Sequence, residues 1–128
     1  MINFLAYIAG CLISLSAHEA GHLLAALTLG VTVRRVGITW RGPYIVREAG
    51  RPSANAAISA AGPAMNLVMA VLVWHSWPML GLINLVLGTA NLLPTPTSDG
   101  RRAWRAFVQA RSESGIRAVV APESITAS

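Results

Sequence analysis

The chain opens on an apolar stretch from Ile2 to Gly30 in which His18, Glu19 and His22 are the only histidine, acidic or basic residues. A helix needs about 20 residues to cross about 30 Å of hydrocarbon. This run is long enough to cross with tilt or overhang. It is too long for a secretory signal peptide and has no basic start. From Val31 to Arg51 the pattern changes. Val33, Val36, Ile38 and Trp40, then Tyr44, Ile45 and Val46, are β-formers broken by Arg41-Gly42-Pro43. They predict a hairpin with its turn at Gly42-Pro43. A second apolar run extends from Ser53 to Trp74, and Pro63 inside it should kink the helix or mark its boundary. Ala60, Ala61, Gly62 and Ala64 would let another backbone approach closely in lipid. Trp74 to Pro78, with His75, reads as an interfacial turn. A third run, Met79 to Leu93, dissolves into Pro94-Thr95-Pro96-Thr97-Ser98-Asp99-Gly100. Too many breakers follow for that helix to continue. The tail from Arg101 predicts a short amphipathic helix and then a frayed end.

The expected fold is therefore a mostly α membrane protein. Three transmembrane helices, at about 2–30, 53–74 and 79–93, carry a small β-hairpin at 31–51 between the first and second. Residues 1–105 form the membrane core and 106–128 a polar tail. Composition agrees: 54% of the 128 residues are hydrophobic and 12% charged, against about 25% charged in soluble domains. Such a chain is neither disordered nor able to cover its apolar side chains with polar ones.

The net charge of +5 comes entirely from arginine. A basic face on a soluble fold would suggest nucleic acid. Here the arginines fall in two blocks, Arg34 to Arg51 and Arg101 to Arg117, each beside an apolar run. Three spans put every arginine on one side, which the positive-inside rule makes cytoplasmic. The N-terminus is then outside and the C-terminus cytoplasmic, as suits a bacterial inner membrane, with the lipid bilayer and no nucleic acid as partner. Cys11 is the single cysteine, so there is no internal disulfide or thiolate cluster. It reads as a small buried side chain.

The chemistry is concentrated in the first run. His18-Glu19-Ala20-Gly21-His22 is a His-Glu-x-x-His motif on a helix, and i, i+4 spacing puts both imidazoles on one face where they can share a zinc ion. Glu19 beside them can act as a general base. Ionisable residues inside a span are costly and functional by default. A catalytic zinc takes three protein ligands, and the candidates for the third are Asp99, Glu48 and His75. His75 lies in the outer turn, on the wrong side. His18 sits about 24 Å down its helix and Asn91 about 18 Å down the third run. The broken segment after Asn91 thus begins near the depth of the histidines and can fold back to present Asp99.

Three motifs in this order, His18-Glu19-Ala-Gly-His22, Gly62-Pro63-Ala-Met-Asn66 and Asn91-Leu-Leu-Pro94-Thr-Pro-Thr-Ser-Asp99-Gly100, resemble the site-2 protease family of intramembrane zinc metalloproteases over about residues 10–105. The resemblance implies one zinc per chain, held by His18, His22 and Asp99, with Glu19 as catalytic base. It implies that Asn91 hydrogen-bonds the substrate or the developing oxyanion, that Asn66 supports the helix bundle, and that an unwound substrate adds a strand to the hairpin. It also implies proteolysis of single-span membrane proteins within or near the membrane, of the regulated type. Ser98 stands where the family often has leucine and Arg101 where a second glycine is common; no PDZ-like or CBS-like domain is expected. The alternative is a catalytically idle membrane scaffold of the same fold that binds single-span partners. A soluble zincin-type peptidase fails on the arginine pattern and the three apolar runs.

Overall fold

A computed structural model describes residues 2–40 and 42–120. Its elements in chain order are α1 (Ile2–Thr28), β1 (Val33–Thr39), β2 (Gly42–Arg47), α2 (Pro52–Val73), α3 (Pro78–Leu92) and α4 (Asp99–Val120). The expectation of a mostly helical chain with a hairpin between its first two helices holds. Both α1 and α2 are long and apolar enough to cross a membrane. The third helix is not: its 15 residues rise only about 22 Å.

Most of the apolar surface of these helices points outward. Leu12, Leu24, Val71 and Leu72 are all exposed, and Cys11 is exposed as well rather than buried as expected. What the bundle hides instead is polar or small: Ser14, Ser59, Asn66, Asn84, Gly62 and Gly81. In water such a distribution would leave large apolar patches without cover.

Helix α1 ends because Gly30 adopts φ +67°, a conformation that costs glycine little. Val31 N–H then donates to Ala26 O at 2.8 Å and Gly30 N–H to Leu27 O at 3.2 Å, the pattern of a Schellman cap. Val31 packs back on Ala26 and Ile58 to form a small core, and the hairpin that follows folds back along α1, bringing Gly42 near Leu15. Strands β1 and β2 pair antiparallel from Val33↔Arg47 to Thr39↔Gly42, with an irregularity between Val33 and Arg35. The turn therefore falls before Gly42, not at Gly42-Pro43 as predicted. Gly42 opens β2 at φ +115°, and Pro43 lies opposite Ile38. Val36, Ile38 and Trp40, at alternating positions of the strand and turn, are strongly exposed.

Helices α2 and α3 both begin at a proline, whose missing N–H costs nothing in a first turn. Helix α2 runs on through Pro63 without a boundary. That side chain is fully buried, and packed neighbours are what make such a proline tolerable in an apolar helix. The short helix expected from Arg101 is a 22-residue helix beginning at Asp99 and packed along α2; residues 121–128, on which the expected frayed end would fall, lie outside the described residues. Ser98 starts α4 as its N-cap. Its Oγ accepts from Arg101 N–H at 3.3 Å, and its single hydrogen is shared between Thr95 O, at 3.0 Å, and Leu93 O, so one hydroxyl closes the 93–98 connection and opens the helix.

At Gly100 a Cβ would collide with the carbonyl group of Leu92. The fold-back that carries Asp99 depends on that close approach. Gly100→Ala is therefore expected to destabilise the protein by about 1–3 kcal/mol, the usual cost of overpacking. Thermal unfolding in detergent would register this, and an unchanged midpoint would mean that the connection is not held in this geometry.

Candidate metal centre

Helical spacing in α1 stacks His18 and His22 one turn apart, with ring centroids 4.8 Å apart and planes at 85°. Asp99, the first residue of α4, enters from the other side. His18 Nε2 lies 2.9 Å and His22 Nε2 3.2 Å from Asp99 Oδ2, and the two Nε2 atoms are 3.2 Å apart. Residues 81 and 77 positions apart in sequence thus point one nitrogen, a second nitrogen and one oxygen at a common centre.

These donors suit a metal. A tetrahedral zinc with ligands at 2.0–2.1 Å holds them roughly 3.3 Å apart, close to the separations found. Two imidazoles and one carboxylate also match the three-ligand, one-open-position pattern of catalytic zinc. The roof is Gly62 of α2. A Cβ there would lie 2.8 Å from His18 Nε2 and 2.6 Å from His22 Cε1, so only a glycine leaves room for the ring nitrogens. A second glycine, Gly21, brings α1 against Ala61 O of the same helix.

The far sides of the rings are held as well. His22 Nδ1–H donates to Ile58 O at 2.7 Å, which directs Nε2 inward. His18 Nδ1 faces Asn66 Nδ2 at 3.2 Å. Asp99 stands over the two Nε2 atoms with its Oδ2. Its second oxygen, Oδ1, faces Arg102 at 3.5 Å.

The other residues singled out in the sequence are placed less uniformly. Glu19 is half-buried next to His18, and among the described residues no hydrogen bond engages its carboxylate. Asn91 is half-buried in the last turn of α3, and its Nδ2 donates to Leu87 O at 3.0 Å; no hydrogen bond among the described residues joins it to the cluster. The two other candidates for a third ligand lie elsewhere. Glu48 pairs with Arg34 at 2.6 Å on the exposed hairpin, and His75 sits exposed in the turn between α2 and α3. Sequence reasoning gave Asn66 only a packing role and did not see Gly62 as the roof of the site. The i, i+4 step from Gly62 to Asn66 could have shown that both share one face of α2.

Fold and site together define a helical protein with a His-Glu-x-x-His helix whose histidines meet an aspartate from a distant helix start. No protein-family profile matches the sequence. Rip3 of Mycobacterium tuberculosis, named provisionally as a zinc metalloprotease, is 34% identical over 130 residues, covering 84% of this chain and 32% of that protein. The Synechocystis protein sll0528, also named provisionally as a zinc metalloprotease, is 32% identical over 110 residues, 74% of this chain and 29% of its own. A site-2 protease structure from Methanocaldococcus jannaschii shares the fold, with a TM-score of 0.67 over 78% of this chain and 52% of that one at 24% identity. The chain is thus similar in sequence to proteins named as zinc metalloproteases and in fold to a site-2 protease. It spans about a third of the length of the relatives it matches.

Proposed function

We propose that this chain is the catalytic core of an intramembrane zinc metalloprotease that hydrolyses a peptide bond of a membrane-embedded, single-span substrate, in the manner of regulated intramembrane proteolysis. The observation that carries the reading is the convergence of His18 Nε2, His22 Nε2 and Asp99 Oδ2 within 3.2 Å of one another, beside Glu19, whose carboxylate no hydrogen bond engages among the described residues. His18, His22 and Asp99 would be the zinc ligands.

Bound zinc would supply a Lewis acid and make water a nucleophile near neutral pH. Glu19 takes the proton from the attacking water and passes it to the leaving amine. Asn91 releases Leu87 O and turns its amide N–H groups toward the developing oxyanion. Helical peptide bonds are protected by their own hydrogen bonds, so the substrate must unwind locally. The free edges of the two-stranded hairpin offer an extended segment a partner for main-chain hydrogen bonds.

In this reading α3 completes a third crossing with help from its flanking residues or local thinning of the bilayer. The N-terminus is then outside and the C-terminus cytoplasmic, in a bacterial inner membrane. The arginine blocks at 34–51 and 101–117 support that orientation.

Zinc stoichiometry of detergent-purified protein tests the centre. The expected result is near one zinc per chain, lost or much weakened in both His18→Ala and Asp99→Ala. Protein that takes up no zinc on reconstitution at neutral pH would leave the idle scaffold as the better reading. Loss in His18→Ala alone would remove Asp99 from the ligand set.

A further inference from the structure

The two imidazoles differ in how their outer nitrogens are served. His22 Nδ1 faces a backbone carbonyl, Ile58 O. A carbonyl can only accept, so it holds the hydrogen on Nδ1 and leaves Nε2 as a lone-pair donor. His18 has no such carbonyl. Its Nδ1 faces the side-chain amide of Asn66, a residue with no exposed surface. The Oδ1 atom of that amide is buried and has no hydrogen-bond partner among the described residues.

Consider what His18 needs in order to ligate through Nε2. The lone pair must be on Nε2, so the hydrogen sits on Nδ1 and requires an acceptor. With its Nδ2 toward the ring, Asn66 offers an N–H, which would set donor against donor. A half-turn of the amide exchanges its two ends, which differ only in chemistry and not in shape. It places the unpartnered Oδ1 on the Nδ1–H. With the opposite tautomer, in which Nε2–H donates to Asp99, the amide turns back and its N–H donates to Nδ1. An asparagine can serve both states; a carbonyl or a carboxylate serves only one.

Resting on the zinc reading above, we infer that Asn66 is the positioning residue for His18, its side-chain oxygen accepting the Nδ1–H whenever Nε2 holds zinc and its amide group turning over when zinc leaves. Asn66 would thus do for His18 what Ile58 O does for His22. One histidine is fixed permanently for the metal. The other is fixed only on loading.

The test is the zinc dissociation constant, measured by competition with a chromophoric chelator on the full chain in detergent. Wild type would be compared with Asn66→Leu, Asn66→Asp and Asn84→Leu. Asn66→Leu keeps the approximate volume but removes the acceptor, and should weaken binding by about 10- to 100-fold, the range for loss of a ligand's hydrogen-bond partner. Asn66→Asp is acceptor-only and should bind at least as tightly as wild type. Asn84, likewise buried with an unpartnered Oδ1 but donating within its own helix to Leu80 O, controls for the removal of any buried amide. Its leucine variant should bind zinc as wild type does.

A merely structural role would reverse the order at position 66, because a buried carboxylate disturbs packing more than a leucine does. Equal affinity in wild type and Asn66→Leu, or weaker binding in Asn66→Asp than in Asn66→Leu, would overturn the inference while leaving the zinc site standing. Wild type that binds no zinc would overturn both. Should Asn66→Leu fail to fold, the Asp variant still decides, together with the imidazole ¹⁵N shifts of His18 in zinc-loaded wild type. Those shifts should report hydrogen on Nδ1, and hydrogen on Nε2 would refute the assignment.

Discussion

Gly62→Ala is expected to remove metal binding while leaving α2 helical. A methyl group at that position would stand 2.6 Å from His22 Cε1 and 2.8 Å from His18 Nε2, and nearer still to His22 Nε2. The imidazoles cannot retreat without giving up Ile58 O and Asn66 behind them. The helix backbone cannot retreat either, because Gly21 rests on Ala61 O one residue away. Local helix propensity works the other way, alanine being favoured over glycine by about 1 kcal/mol. Stability and zinc affinity should therefore separate: helix content kept or slightly raised, affinity lower by about 100-fold or more, at or beyond the upper end for disturbed ligand support. Circular dichroism and chelator competition on the same sample would show this. Undiminished affinity would mean that the metal, if any, is held elsewhere.

Glu19→Gln should have the opposite signature, with zinc kept and cleavage lost. The substitution preserves shape and removes only the group that can accept a proton. Among the described residues the Glu19 carboxylate makes no hydrogen bond, so the fold should not respond. General acid–base catalysis contributes about 10²- to 10⁴-fold, and cleavage of a membrane-embedded peptide followed by mass spectrometry should fall by at least that much. Full activity in a zinc-replete Glu19→Gln protein would defeat the proposed mechanism.

Helix existence could be read directly, because runs of apolar residues ended at prolines and glycines whose backbone constraints are local. The His18–His22 pairing followed from helical spacing alone. Asp99 was harder, since nothing local links it to residues some 80 positions away; only the depth of the broken segment pointed there. The hairpin turn was misplaced by taking Gly42-Pro43 as its centre, when the antiparallel register puts both residues inside the ladder. The full length of α4 is hidden in the sequence because its polar residues lack a wide apolar stripe. What stabilises it is an alanine ridge against α2 (Ala103, Ala106 and Ala110, each half-buried), and a Ser98 cap that sequence inspection could have found. Asn66 and Gly62 were visible as letters, but their work depends on which atoms meet across two helices, and periodicity does not report that.

The close approach of α1 and α2 at Gly21 and Ala61 has a mechanical consequence. Parting these two helices would break backbone-level packing. Helix α3 is held on α2 in the same way, with Gly88 against Leu67 and Pro63 O and Gly81 against Ala70 O, but it meets α1 only sparsely. Free energies of local opening follow such differences in packing. The thin seam of the bundle is therefore the one between α1 and α3. Room for a bulky polypeptide is made most cheaply by opening that seam, which leaves His18, His22 and Gly62 in register on α1 and α2.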